Sequence, residues 1–441
     1  MTSFFRTNSL VQSAVVTVLL TVAASSSGQE SRDLKGLGDL KLEQRWVSQA
    51  TLNVRRDHVN WISNDEDIIF VQSSGGVLTA LNAENGRKLW ARQLGRADEF
   101  VYAPVSDTQL VLITSGPVLY AFDKFTGDEK FEYRLPMQPS APPALVHDDS
   151  AVATGADNGP LGSAAVRDRY CYIPMSDGSL YAYNLANLEY LKRFGKLPPL
   201  AERAFSWRFL TASPIRFAPV VGNENIAFGT DQGSLHGLSA RSVVPGTTNF
   251  ELITNHPIAT PLTFVERLEG EYCVFATDAG RIFCLMLSDN GRQVWARALA
   301  RPISGKMIAV DDDLFVATQG DGLHVISLSQ GAPRISDSGA WINSDARAVR
   351  AITGGFVYAV DSSNRLLQID RETGTTLKHL DLHEYSMGIQ NEVTDRLYFV
   401  TSSGRVLCLG VQGEDFATYH QNPERRPIMP EVPEKEPQPA A

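Results

Sequence analysis

At 441 residues, with 43% hydrophobic residues, 34 glycines and 23 prolines, the chain has the composition of a turn-rich globular protein able to bury a large core. Its 40 basic and 50 acidic side chains leave a formal net charge of −10, which argues against a surface built for sequence-independent nucleic-acid binding. Four cysteines with no C-x-x-C pair among them argue against a disulfide scaffold, a zinc ribbon or a thioredoxin-type redox site.

The first 28 residues differ from the rest. Arg6 is the only charge before Glu30, an apolar stretch runs from Leu10 to Ala24, and Ala23 to Gly28 are small. This is the layout of a secretory signal peptide, and its uninterrupted apolar run is shorter than the roughly 20 residues that a membrane span needs. The exit carries no cysteine for lipid attachment. The reading is a leader over 1–28 that is cleaved on export, with an uncleaved membrane anchor as the alternative, followed by a linker over 29–44.

From residue 45 onward one phrase recurs: a small residue, an alternating apolar run, then a turn. Anchored on its third position it falls at Leu78, Leu119, Leu180, Leu235, Ile282, Leu323, Leu366 and Val406, a base period near 41 residues with two longer gaps of 61 and 55 around the third copy. Ahead of each phrase lies another β-rich run, such as Ile68-Ile69-Phe70-Val71, joined to it by a Gly-, Ser- or Asp-containing turn. After each phrase comes a second turn, as at Asn85-Gly86, Thr126-Gly127 and Thr373-Gly374, and a strand that ends in Trp90, Phe131 or Trp295. Four short strands per unit, eight times over, predict an all-β, eight-bladed propeller of four-stranded antiparallel blades over 45–420. The last unit lacks a convincing fourth strand. Leu42 to Val47 is positioned to supply it and close the ring; Asp415 to Tyr419 is the alternative donor. Residues 421–441, with six prolines among charges, read as a disordered tail.

The string from Leu78 to Trp90 (Leu-Thr-Ala-Leu-Asn-Ala-Glu-Asn-Gly-Arg-Lys-Leu-Trp) resembles the PQQ-like repeat, as do Leu119 to Phe131 and Leu366 to Leu377. The resemblance spans about residues 45–420. It implies the propeller fold and offers two branches. Quinoprotein dehydrogenases bind pyrroloquinoline quinone with Ca²⁺ and carry an adjacent-cysteine disulfide, which this sequence lacks. The other branch is similar to BamB, an eight-bladed scaffold of outer-membrane protein assembly that uses the propeller for protein contacts and has no cofactor. The chain departs from it in lacking the lipidated cysteine. The expectation is a non-catalytic, monomeric scaffold in the periplasm or secreted, without cofactor or metal, binding other envelope proteins. A quinone-dependent oxidoreductase and a glycan- or ligand-binding module are the alternatives.

The two long gaps place insertions around the third repeat, and repeat proteins usually hang insertions on a binding face. The first, Pro136 to Ala164, reads as a surface loop. The second, Phe194 to Ser213, interleaves arginines with aromatics, as interface anchors do, so Arg203, Phe205, Trp207, Arg208 and Phe209 form the candidate partner-binding patch; packing of the same aromatics onto the blade is the competing reading. Trp90 and Trp295 are expected to pack blade against blade. His379, Asp381 and His383 alternate on one strand face, too far apart to grip one ion, and read as a solvated outer strand. Asp311-Asp312-Asp313 reads as a turn. Cys273 and Cys284 flank a hairpin turning at Asp278-Ala279, a register that would set them opposite each other and permit a cross-strand disulfide. No nucleophile with a paired base is apparent in any known catalytic motif.

Overall fold

The structure, a computed structural model, describes residues 34–97, 99–145, 169–199, 201–223, 225–240, 246–336 and 339–421. The leader expected over 1–28, most of the linker and the Pro-rich tail therefore lie outside the described residues. Eight four-stranded antiparallel sheets follow one another along the chain as blades. Blade 1 consists of Val59–Asn64, Ile68–Ser73, Val77–Asn82 and Lys88–Gln93, and this order of strands, innermost to outermost, repeats through blade 7. The first strands of successive blades meet around a central channel.

The eighth blade takes strands from both ends of the chain. Leu42–Gln49 pairs antiparallel with Arg405–Val411, as Val47 opposite Leu407 and Ser48 opposite Val406. This is the donor favoured by the sequence; Asp415 to Tyr419 contributes only a single bridge, Tyr419 to Thr394. The linker boundary needs correction. The chain is already engaged at Leu37–Leu40, a 3-10 turn, because the Leu40 carbonyl accepts hydrogen bonds from Tyr358 Oη at 2.7 Å and Gln368 Nε2 at 2.9 Å in blade 7. Leu40 and Leu42 are buried and the closing strand runs Leu42–Gln49, starting where the sequence placed it, so the propeller begins at Leu42 rather than at residue 45.

Blades are held to one another by a repeated aromatic seat. Trp90 is on the outer strand of blade 1; its indole Nε1 donates to the Lys124 carbonyl of blade 2 at 2.8 Å, and its ring covers Gly127. Gly127 has φ +68°, and a Cβ there would stand 2.5 Å from the indole, so the turn needs glycine both for its backbone and for the ring above it. Trp46, Trp295 and Trp341 repeat the arrangement, donating to the carbonyls of Ala83, Leu328 and Arg371. The expectation that Trp90 and Trp295 pack blade on blade holds. Between blades 1 and 2 the buried Lys124 also bridges Asp65 at 2.9 Å and Asp67 at 3.2 Å.

The cross-strand disulfide does not form. The hairpin of blade 5 turns through three residues, Asp278 to Gly280, with Gly280 at φ +73° and its N–H bonded to the Thr277 carbonyl. That extra residue shifts the register by one, so Cys273 faces Leu285 and Cys284 faces Val274. A one-residue shift sends the two side chains to opposite faces of the sheet. Cys273 packs with Phe275 and Leu285, Cys284 with Val274 and Trp295, and both are free thiols. Burial raises the Cys284 thiol to about 12.

Candidate functional site

Blade 3 carries the extra chain. Its strands are Ala144–Leu145, Tyr170–Pro174, Ser179–Asn184 and Phe205–Leu210. The first insertion accordingly falls within the blade, between its first and second strands, rather than ahead of it; most of it, 146–168, lies outside the described residues. The second insertion, read from the sequence as Phe194 to Ser213, lies earlier: Phe205–Leu210 is the regular fourth strand, and the extra chain forms a helix, Leu185–Phe194, between the third and fourth strands. Asn184 caps it, its side-chain oxygen accepting from the Asn187 N–H at 3.2 Å, and Gly195 at φ +68° ends it. Leu185 and Leu188 bury against Phe131 and Tyr183, and Lys192 pairs with Glu129 of blade 2 at 2.7 Å. In an antiparallel blade, the connections from first to second and from third to fourth strand leave the same end. Both extra segments of blade 3 therefore depart from one face of the propeller.

The five patch residues come together around the fourth strand of this blade, but they divide by side. A bulge between Phe205 and Trp207 puts them on opposite faces of the strand: Phe205 packs towards blade 2, edge-on to Tyr181 at 5.0 Å, whereas Trp207 and Phe209 pack towards blade 4, Phe209 edge-on to Phe228 at 6.0 Å. Trp207 lies opposite Ala182 in the register that sets Trp90 opposite Ala80, and its ring covers Gly246 of blade 4. It is the blade-docking tryptophan of this repeat. The helix displaces it from the usual spacing, which is why the sequence shows it as part of a loop. Arg203 and Arg208 stay at the surface, their guanidiniums over the rings of Phe205 and Tyr181 at 5.7 Å and 5.8 Å. Arg208 therefore shares a face with Phe205, and the exposed surface around the strand carries the two guanidiniums, with Leu210 exposed at its end.

The other candidate groups take structural places. His379, Asp381 and His383 are exposed at the end of the outer strand of blade 7, as read from the sequence. Asp311 to Asp313 form the turn between the first two strands of blade 6. Arg371 of blade 7 holds Asp311 at 2.7 Å and Asp313 at 3.2 Å, and Arg267 of blade 5 holds Asp312 at 3.1 Å. Despite partial burial, hydrogen bonds from Ser327, Arg267 and Ser329 keep the Asp312 carboxyl below its usual range.

The central channel contains a cavity of about 500 Å³ between blades 1, 5–6, 7 and 8. Arg347 and Arg350 contribute to its wall and no carboxylate does. A quinone held with Ca²⁺ would need several oxygen ligands for a hard cation; two guanidiniums facing the space repel one instead. The channel residues do not fit that cofactor pair. Sequence reasoning missed both arginines. The only available signal was two cations in Ala346–Ile352, an inner strand otherwise made of small and apolar residues.

The family profile described as outer membrane protein assembly factor BamB matches residues 74–244 and 279–415, most of the described chain. The chain belongs to the BamB family of PQQ-repeat propellers. No curated protein sequence matches it significantly. Among solved structures, BamB from Moraxella catarrhalis is similar over 85% of this chain and 98% of its own, with 14% identity and a TM-score of 0.56. A computationally designed protein, Ika8, is similar over 83% of this chain and 99% of its own, with 14% identity and a TM-score of 0.53. At that identity the likeness is one of fold. Among the described residues no helix is long and apolar enough to cross a membrane.

Proposed function

We propose that this BamB-family chain is a non-catalytic scaffold, exported from the cytoplasm, that binds other cell-envelope proteins through the face from which both extra segments of blade 3 depart. The observation that carries the reading is the pair of insertions on one face of a single blade, in a family whose name denotes assembly work. Insertions in repeat folds concentrate on the binding face. The helix there is tied down at Leu185, Leu188 and Lys192, so it offers a preorganised surface, with Phe194 half-exposed at 51%, Arg193 over its ring at 5.2 Å, and Arg203 on the connection that follows. Buried, protonated thiols such as that of Cys284 support a structural rather than a nucleophilic role for the cysteines.

A photo-crosslinking residue at Phe194, in the full chain produced in its own cells, tests this. The expected result is a discrete adduct with an envelope protein that is absent when the same residue replaces Val54, which is 61% exposed on a different connection. Arg203→Glu in addition is expected to weaken the Phe194 adduct. No adduct from Phe194, or identical adducts from both positions, would overturn the proposal. Recovery of the chain in the cytoplasmic fraction would overturn its export.

A further inference from the structure

The arginines of the central channel are independent of blade 3. Arg347 and Arg350 lie on the first strand of blade 7, Ala346–Ile352, which is interrupted twice: the pairing with Phe356–Asp361 slips between Ala346 and Ala348 and again between Val349 and Ala351. In a regular strand, residues three apart point to opposite faces. Here each arginine is the extra residue of a bulge, a device that re-aims a side chain, and both line the same cavity.

Neither arginine takes part in an ion pair among the described residues. Arg347 Nη1 donates only to main-chain carbonyls, Ser344 at 2.7 Å and Ala346 at 3.1 Å. Arg350 Nη1 donates to the Gly388 carbonyl at 2.9 Å, while its Nε is buried without a partner. Burial pushes the Arg350 guanidinium down to about 10, so it remains a cation at neutral pH. The nearest acid in sequence to the blade 8 wall, Glu392, is neutralised by Lys306 at 2.6 Å. Both arginines are half-buried; a cation drawn partly out of water without a counter-charge is costly, and in a chain of net charge −10 two that share one cavity are unusual. The rest of the wall is neutral, with Ile62, Ala348 and Ile389 beside the hydrogen-bonding side chains of Ser63, Asn64, Ser304 and Gln390. No aromatic ring lines it, which disfavours a ligand that needs stacking, and the volume is in the range of small-molecule sites.

We infer that the central channel is a binding site for a small, non-aromatic oxyanion, held by Arg347 and Arg350 and oriented by the amides and hydroxyls around them. Guanidiniums match the planar oxygens of carboxylate and phosphate groups, and the two sources of that chemistry can be separated.

Calorimetric titration of the full chain with citrate, and separately with inorganic phosphate, at constant ionic strength tests the site. Saturable binding of one anion per chain is expected; citrate alone identifies a polycarboxylate and phosphate alone a phosphate-bearing ligand, and either supports the site. Arg347→Gln and Arg350→Gln are each expected to weaken binding about ten-fold, the scale of one charge-assisted hydrogen bond. Gln390→Glu leaves both arginines in place, supplies them with an internal counter-charge, and is expected to abolish binding while the circular dichroism is unchanged. Absence of saturable binding by either anion, or binding that survives Arg347→Gln and Gln390→Glu undiminished, would overturn the inference.

Discussion

His420 shows how burial alone can give a single side chain a pH signature. It is mostly enclosed near Asp311 and Arg371, its Nε2 has no partner, and burial holds its pKa at about 4. An unfolded histidine titrates near 6.5. Between those values the unfolded chain binds a proton that the folded chain refuses, so stability falls as pH drops from about 6.5 to about 4. Asp395, raised by its own burial, works in the opposite direction, because its folded form favours the proton. The diagnostic is therefore a difference. Urea midpoints of the native chain are expected to fall more steeply between pH 7 and 4.5 than those of His420→Gln, and equal slopes would refute the assignment. None of this is visible in the sequence, where His420 lies three residues ahead of Pro423, the first of a run of prolines and charges. The same holds for Arg347 and Arg350: residue type is legible, but the two bulges that aim both at one cavity are not.

Strands and turns were far more legible, since alternation and glycine punctuation are local. Eight hairpins are legible in one recurring phrase, and the Gly that opens most copies, replaced by Asn364 in the seventh, reports a turn. What escaped was the exact count of residues in those turns. A two-residue turn at Asp278-Ala279 sets Cys273 against Cys284; the three-residue turn that the chain adopts sets them on opposite faces. An inserted helix likewise hid the docking role of Trp207. The seat itself makes a quantitative prediction at Trp90 and Gly127. Trp90→Ala removes a buried indole and is expected to cost about 3 kcal/mol. Gly127→Ala forces a side chain into a left-handed turn, about 1–2 kcal/mol, and also into the ring 2.5 Å away. In the Trp90→Ala background the second penalty disappears. The two changes should therefore be less than additive by at least about 1 kcal/mol in chemical denaturation, and strict additivity would show that the ring does not rest on that turn.

Ring closure is the property that no single blade possesses. Blades 1 to 7 are each complete from contiguous chain, whereas blade 8 depends on Leu42–Gln49 arriving from the other end. That strand buries Leu42 and Trp46, and on the usual scale for buried apolar side chains the two together contribute about 5 kcal/mol. This is comparable with the whole net stability of a typical domain. Its loss would also leave Arg405–Val411 as an unpaired edge, with backbone groups free to pair with a second chain. A chain shortened to begin at Ala50 is thus expected to unfold at a markedly lower denaturant concentration than the full chain and to self-associate as concentration rises. Both defects should be reversed by adding the synthetic peptide Leu42–Gln49 in excess, because the missing piece is a strand and not a covalent link. A shortened chain that stays monomeric with an unchanged midpoint would mean that the ring is held by the seven contiguous blades alone, and that the tryptophan seat of Trp46 on Gly86 contributes little to closure.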